Sequence, residues 1–446
     1  MQTKKIAIIG AGLVGSLLSI YLRKKGYAVE VYERRSDMRK SGVVGGRSIN
    51  LAISDRGWKA LAGVGLEEKI RELAIPMHGR MIHALDGSLN YQAYGKEGQF
   101  INSVSRGQLN IELMNAAENE GVIFHFQQRI VETDLAGTFA IMEDELQKNK
   151  YELKPDLIIG ADGAFSLLRY TMMKTDQFNY SQQYEEHSYK ELHIPAGLNN
   201  SFQMEKNALH IWPRKSFMLI ALPNLDGSFT CTLFHYTKGE NSIDAIKDEN
   251  DLLHFFRQNF LDAKKMMPGL VQDFFHNPTG SLVTIKCFPW VNGNSFLIGD
   301  ASHAIIPFYG QGMNCGFEDC SVLNELIDEY HHDWGKILPA FQSSRKQNTD
   351  AIADLAKLNF IEMRDLVADA GFQLKKKVAA KVAEKYPDKF IPVYSMVSFS
   401  QLPYSEALQE YKRQDDVLNE IILMKDIELK WETEYFELIA SKLIKK

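Results

Sequence analysis

The sequence predicts an α/β fold with a sheet-rich middle and a helical end. Three stretches predict it. KKIAIIGAGLVGSLLSIYLRKKGYAVEVYER, near the start, has the order strand, glycine turn, helix, strand. HIWPRKSFMLIALPN and SFTCTLFHY, within roughly Lys174 to Ile285, are dense in apolar and β-branched residues and read as sheet. From about Asp350, AIADLAKLNFIEMRDLVADA places apolar residues at helix spacing, with Asn359, Glu362 and Met363 on one face.

A chain of 446 residues has room for two or three domains and an interior large enough for a sizeable ligand. Its composition, 45% hydrophobic and 24% charged, contains no low-complexity tract or repeat. The net charge of −6 provides no dominant basic field, which argues against nucleic acid as a partner. Lys375 to Lys377 sit between acidic helical segments and read as a solvated face. Cys231, Cys287, Cys315 and Cys320 form no C-x-x-C pair, and the histidines supply no zinc spacing. Reduced thiols point to the cytoplasm.

Lys4 and Lys5 ahead of IAIIGAGLVGSLLSIYL share the charge and apolar order of a signal peptide. The glycine spacing and the following strand AVEVYE oppose that reading. No apolar run of membrane length occurs, and the C-terminal stretch ends in SKLIKK, so a soluble protein is expected.

Gly10-Ala11-Gly12-Leu13-Val14-Gly15 is G-x-G-x-x-G directly after the strand IAII. The first glycine permits the tight turn, the second lets a pyrophosphate approach, and the third lets helix and strand pack. Amides at the helix N-terminus favour negative charge. Glu33, at the end of the next strand, can accept ribose hydroxyls, and its charge opposes a 2′-phosphate in this pocket. The motif leaves NAD and FAD both open.

PDLIIGADGAFSLLRY, Pro155 to Tyr170, is a second buried strand and helix start. Taken alone, it is a turn in which Asp162 caps the helix beside Ser166. GDASHAIIPFYGQGMNCGFED, Gly299 to Asp319, follows the strand-like SFLIG and precedes a helix. Asp300 at the strand tip can accept a hydroxyl. The GQGMN turn offers backbone amides, with Gly310 and Gly312 allowing a flat ring close to the backbone. His303 reads as a structural hydrogen-bond partner rather than a general base.

These three motifs, in this order, resemble the flavoprotein aromatic hydroxylases, the para-hydroxybenzoate hydroxylase-like class. The resemblance implies a Rossmann-type FAD-binding domain with a β-sheet substrate domain and a C-terminal helical cap. Its boundaries fall at 1–75, 100–173 and 286–345 for the FAD-binding domain, 76–99 and 174–285 for the substrate domain, and 346–446 for the cap. FAD is implied as bound cofactor and NADPH as co-substrate.

Further stretches are similar to the kynurenine 3-monooxygenase family: GRSINLAIS (Gly46 to Ser54), IPMHGRMIHALDG (Ile75 to Gly87), AYGKEGQFINSVSR (Ala93 to Arg106), LNFIEMRD (Leu358 to Asp365) and IPVYSMVSFSQLPY (Ile391 to Tyr404). The implied reaction is hydroxylation of L-kynurenine to 3-hydroxy-L-kynurenine in tryptophan degradation, which leads on to NAD biosynthesis. Carried over by position, the substrate residues are Arg80, Tyr94, Asn359 and Tyr394. An arginine fork suits the substrate carboxylate, the phenols add hydrogen bonds, and an asparagine amide can donate.

The cofactor pattern falls on Leu13, Glu33, Arg34, Ala52, Arg106, Asp300, Met313 and Asn314, beside Gly10, Gly12, Gly15, Asp162 and Gly312 of the motifs. Phe308 and Tyr309 are expected in an aromatic wall beside the flavin or in simple packing. Animal members of this family carry a hydrophobic C-terminal membrane segment. WETEYFELIASKLIKK is instead short and amphipathic, which implies a soluble, bacterial-type enzyme. Two rivals stand beside this reading: a related flavin enzyme with another aromatic or isoprenoid substrate, and a flavin-bound sensor without turnover.

Overall fold

The computed structural model describes residues 4–40, 50–96, 98–134, 139–363 and 369–444. Part of three matching stretches, Gly46 to Ile49, Glu97, and Arg364 to Asp365, lies outside the described residues. The expected α/β class is the one found.

Lys5–Ile9 forms the centre of a six-stranded sheet, flanked in parallel by Ala28–Glu33 and Leu157–Gly160. Ile8 lies opposite Ile159 on one side and Val31 on the other. Ile123–Phe126 extends the parallel sheet beyond Ala28–Glu33, and Ser295–Leu297 extends it beyond Leu157–Gly160. Such central strands are covered on both faces, which explains why IAII and LIIG are unbroken apolar runs. All three glycine-bearing turns leave the same end of this sheet. Nucleotides bind at the carboxyl ends of parallel strands for that reason.

The second large sheet has seven strands, in the order Gly280–Phe288, Asn179–Ile194, Phe229–Tyr236, Phe217–Pro223, Ala208–Arg214, Gly79–His83, Leu89–Ala93. Its pairs are antiparallel except where Gly79–His83 runs parallel to Ala208–Arg214, with Arg80 opposite Leu209. Side chains alternate along the strand Gly79–His83, so Arg80 and Ile82 face one way, and Met81 and His83 the other. The His83 face is covered by the helices Glu249–Asn259, Leu261–Lys265 and Leu270–His276, with Trp212, Phe217, Phe256 and Phe260 packed between. These helices interrupt a middle region that reads in sequence mainly as sheet.

The C-terminal helical region begins earlier than its sequence suggests. The helix runs Trp334–Ile361, not from about Asp350, and carries Pro339 near its start. Pro339 is the sixth residue of the helix, past the point where the Ile337 amide already bonds the Asp333 carbonyl, so the helix forgoes one backbone hydrogen bond there. Residues 345 and 346 therefore lie within one continuous helix. Beyond it, Ala370–Lys385, Tyr404–Ile422 and Phe436–Leu443 enclose a core of Val378, Val382, Ile421, Ile439 and Leu443. The amphipathic end expected from WETEYFELIASKL thus packs its apolar face inside this helical layer. No helix among the described residues is long and apolar enough to cross a membrane.

Candidate functional site

The three glycines of the first motif do different jobs. Gly10 has φ +107°, and a Cβ there would stand 2.5 Å from the Ala161 carbonyl oxygen. At Gly15 a Cβ would lie 2.0 Å from the Gly10 carbonyl oxygen. Both are needed for packing against GADG of the second motif. Gly12, by contrast, has no atom within 4 Å of the added carbon and opens the helix Leu13–Lys24 as its N-cap. Open space at an N-terminus of this kind suits a pyrophosphate.

Around that turn, Glu33 accepts hydrogen bonds from the Ala11 and Arg35 amides, at 3.0 and 2.9 Å. Arg34 and Arg106 are exposed, and Arg106 begins the helix Arg106–Asn119. Asn110 on that helix donates to the Ala11 carbonyl at 2.9 Å while its own Oδ1 has no partner among the described residues. No motif draws attention to Asn110; its signal is a position one helical turn beyond Arg106.

Asp162 caps the next helix, accepting from the Leu167 amide at 2.8 Å, while Ser166 accepts from Arg169. Its other oxygen is buried without a partner among the described residues, and burial pushes the carboxyl pKa up. The capping geometry and an available acceptor therefore coexist in one side chain. Arg169 ties this motif to the third, donating to the Ala164 and Ala301 carbonyls.

In the third motif Asp300 opens the short helix Asp300–His303 with its side chain exposed. His303 is the structural partner expected: its Nε2 meets Asp319 Oδ2 at 2.6 Å. Burial alone would lower the His303 pKa, but the Asp319 carboxylate outweighs it and raises the value well above the usual one. Cys315 lies beside both, and Arg345 donates to the same carboxylate at 2.7 Å. A positive guanidinium in that position opposes a metal ion there.

Gly310 has φ +65° and follows the 3-10 turn Pro307–Tyr309, so its requirement is conformational. Gly312 and Met313 begin the helix Gly312–Glu329. Asn314 spends its side chain internally, accepting from the Ser54 amide and donating to the Ala52 and Gly310 carbonyls. It fixes the turn against the strand Asn50–Ile53, while the Gly310 amide donates to the Pro307 carbonyl at 2.8 Å.

On the neighbouring side, the Arg80 guanidinium carbon lies 5.2 Å from the Tyr94 ring centroid and 4.7 Å from that of Tyr394. The two rings stack at 5.3 Å, and Tyr309 stacks on Tyr394 at 5.6 Å. Arg80 Nε and the Tyr94 hydroxyl are buried without partners among the described residues. Burial, which outweighs the opposing charge of Arg80, holds the Tyr94 and Tyr309 phenols protonated far above neutral pH. Asn359 donates to the Phe308 carbonyl at 2.7 Å, which joins the long helix to the third motif. The expected amide donor is therefore engaged within the protein. Phe308 stacks on Phe360 at 4.2 Å and contacts Phe234. Ala52, Ile220 and Leu209 share an apolar cluster with Tyr94 and Tyr394, so the cofactor-side and aromatic-side positions adjoin.

A dinucleotide turn, a second acidic motif, an exposed aspartate at a strand tip and an amide-bearing glycine turn fit FAD. The FAD binding domain model matches residues 3–356, and the chain belongs to that family. Kynurenine 3-monooxygenase of Flavobacterium johnsoniae is 50% identical over 448 residues, covering 100% of both chains. The Sus scrofa kynurenine 3-monooxygenase is 42% identical over 425 residues, covering 94% of this chain and 89% of the relative. Within the FAD-binding family, the chain is a member of the kynurenine 3-monooxygenases.

Solved structures share the fold at low identity. A probable FAD-dependent monooxygenase from Pseudomonas aeruginosa aligns with TM-score 0.66 and 18% identity, covering 83% of this chain and 100% of its own. A 2-methyl-3-hydroxypyridine-5-carboxylic acid oxygenase aligns with TM-score 0.63 and 18% identity, over 84% and 96%.

Proposed function

We propose that this chain is an FAD-dependent monooxygenase that converts L-kynurenine, NADPH, a proton and O2 to 3-hydroxy-L-kynurenine, NADP+ and water. One observation carries the substrate class most directly. The side chain of Arg80 sits against two tyrosine rings with its Nε unpartnered, in an otherwise apolar and aromatic setting. A half-buried guanidinium whose buried Nε has no partner among the described residues calls for an anion, and a flat aromatic amino acid supplies both a carboxylate and a ring.

In this reading Arg80 holds the carboxylate, and the hydroxyls of Tyr94 and Tyr394 donate beside it. Asn359, through its bond to Phe308, sets the distance between the long helix and the aromatic wall. Gly10, Gly12, Leu13, Gly15, Glu33, Arg34, Ala52, Arg106, Asp162, Asp300, Gly312, Met313 and Asn314 hold the cofactor. FAD, when bound, accepts the reducing equivalents of NADPH and activates oxygen. The protein's own work is to orient the substrate ring and keep water out. The substrate's aryl amine makes its ortho carbon electron-rich, which selects the position of attack.

The same reading divides the chain into the FAD-binding, substrate and cap regions stated above, with the membership of Gly79–Ala93 in the seven-stranded sheet as support. It places the protein in the cytoplasm, in line with its four free thiols. The test is kynurenine-stimulated NADPH oxidation with identification of the product. Stimulation without a hydroxylated product, or hydroxylation of a different aromatic in preference, overturns the assignment.

A further inference from the structure

We propose that Tyr404 is a positioning residue that couples the C-terminal helical region to the flavin-facing turn Gly310 to Asn314. The inference rests on the reading above. Tyr404 is fully buried, and its hydroxyl donates to Gln311 Oε1 at 2.9 Å. Gln311 is itself buried and is the N-cap residue of the helix Gly312–Glu329, directly before the amides proposed to face the ring. Tyr404 is therefore a direct side-chain link from the C-terminal region to this turn.

The ring of Tyr404 lies beneath the Arg56 guanidinium, 3.9 Å from its carbon to the centroid. Arg56, buried as well, donates to the Leu402 and Val397 carbonyls and pairs with Glu318. Val397 belongs to the short helix Val393–Ser398 that carries Tyr394. On the other side Glu318 pairs with Arg345 at 2.6 Å, Arg345 with Asp319 at 2.7 Å, and Asp319 accepts from the Gly299 amide at 3.2 Å. A continuous polar path thus runs from the helix of Tyr394 to the turn at Gly310 and to the residue before Asp300.

Such a path is costly to break halfway. If the segment carrying Tyr394 withdraws, Arg56 loses carbonyl acceptors and Gln311 Oε1 keeps only the longer bond from Ser54 Oγ, at 3.4 Å, so the buried polar groups are less well paired. Docking over the substrate and correct placement of the turn then favour one another, and the coupling is reciprocal. The sequence places Tyr404 at the end of the stretch IPVYSMVSFSQLPY, with no motif of its own.

The holoenzyme variant Tyr404→Phe removes only the hydroxyl. It should retain FAD and bind kynurenine within about twofold of the native affinity, because no substrate contact is lost. The expected change is in coupling. The share of NADPH whose electrons leave as hydrogen peroxide (NADPH, a proton and O2 giving NADP+ and H2O2) should rise several-fold in the presence of kynurenine. Gln311→Leu should reproduce the rise, and the double variant should add little to either. Leu418→Ala, in the separate C-terminal core, serves as the comparison for general loosening. An unchanged peroxide share in Tyr404→Phe overturns the inference, as does an equal rise in Leu418→Ala at matched melting temperature. If the native protein shows no response to kynurenine at all, it is the substrate assignment that fails.

Discussion

Arg80 and Tyr394 come from residues more than three hundred apart in sequence, yet the guanidinium carbon of one lies 4.7 Å from the ring centroid of the other. The contact joins the edge region of the seven-stranded sheet to the C-terminal helices. It also leaves the arginine's Nε free to meet a ligand anion.

Arg80→Met keeps much of the side-chain length and removes the charged fork. Kynurenine affinity should fall by roughly 1.5–3 kcal/mol, about ten- to a hundredfold, with FAD content unchanged. An analogue lacking the carboxylate should bind the native enzyme poorly and lose little further in the variant. Flavin absorbance titration of both ligands against both proteins measures this. Equal losses for the two ligands would mean that Arg80 does not hold the carboxylate.

The first glycine motif separates packing from binding. Gly15→Ala forces a carbon to within 2.0 Å of the Gly10 carbonyl oxygen and should destabilise the fold itself, with or without FAD. Gly12→Ala meets nothing within 4 Å and has an ordinary φ of −74°. The apoprotein should melt near the native temperature, while FAD affinity drops at least tenfold from steric conflict with the pyrophosphate. Melting curves with and without FAD check both; a Gly12→Ala protein with native FAD affinity would remove the pyrophosphate from this turn.

Asp300 is exposed at the end of a short strand, so its carboxylate does little for the folded protein alone. Asp300→Ala should keep the apoprotein's stability within about 0.5 kcal/mol and weaken FAD retention by roughly 1.5–3 kcal/mol, the range for a hydrogen bond to a charged group. FAD affinity is read by fluorescence recovery on dilution. Unaltered retention would reassign the ribityl contact.

Acid should weaken the substrate-side sheet before the carboxylates titrate. Burial lowers His210 to about 4, and it also lowers His235 to about 4, from an ordinary 6.5. Both are held neutral in the fold but take up a proton more readily when unfolded. Their contribution is therefore complete above pH 6.5 and is lost as pH falls towards 4. Asp262, lowered to about 2 despite burial by bonds from His83 and Trp212, adds a further loss only between 3.8 and 2. Unfolding free energies from urea titrations at steps between pH 7 and 4.5 should hold to about pH 6.5 and then decline, by on the order of a few kcal/mol in total. A flat profile across that range would show that the two imidazoles are not buried neutral.

The sequence alone determined the nucleotide turn, the order of the three motifs and the broad α/β class. These rest on local rules: a glycine where φ is positive or a neighbour is close, an apolar run where a strand is covered on both faces. Residues up to some thirty apart settle such features, and their spacing is visible in the chain. The start of the helix Trp334–Ile361 was not legible, because it is the packing of Trp334, Ile337, Leu338 and Phe341 into the core that carries the helix through Pro339. Asp162 taken alone reads as a cap, with a cofactor role only implied by the resemblance, and the structure gives one oxygen to the cap while the other has no partner among the described residues. Only the tertiary structure decided that Asn359 donates to Phe308, that Asn314 is engaged with Ala52 and Ser54, and that Tyr404 reaches Gln311. Each of these bonds joins side chains and backbone from distant segments. Which of several possible donors and acceptors meet is set by how sheets and helices pack, and no local pattern carries that information.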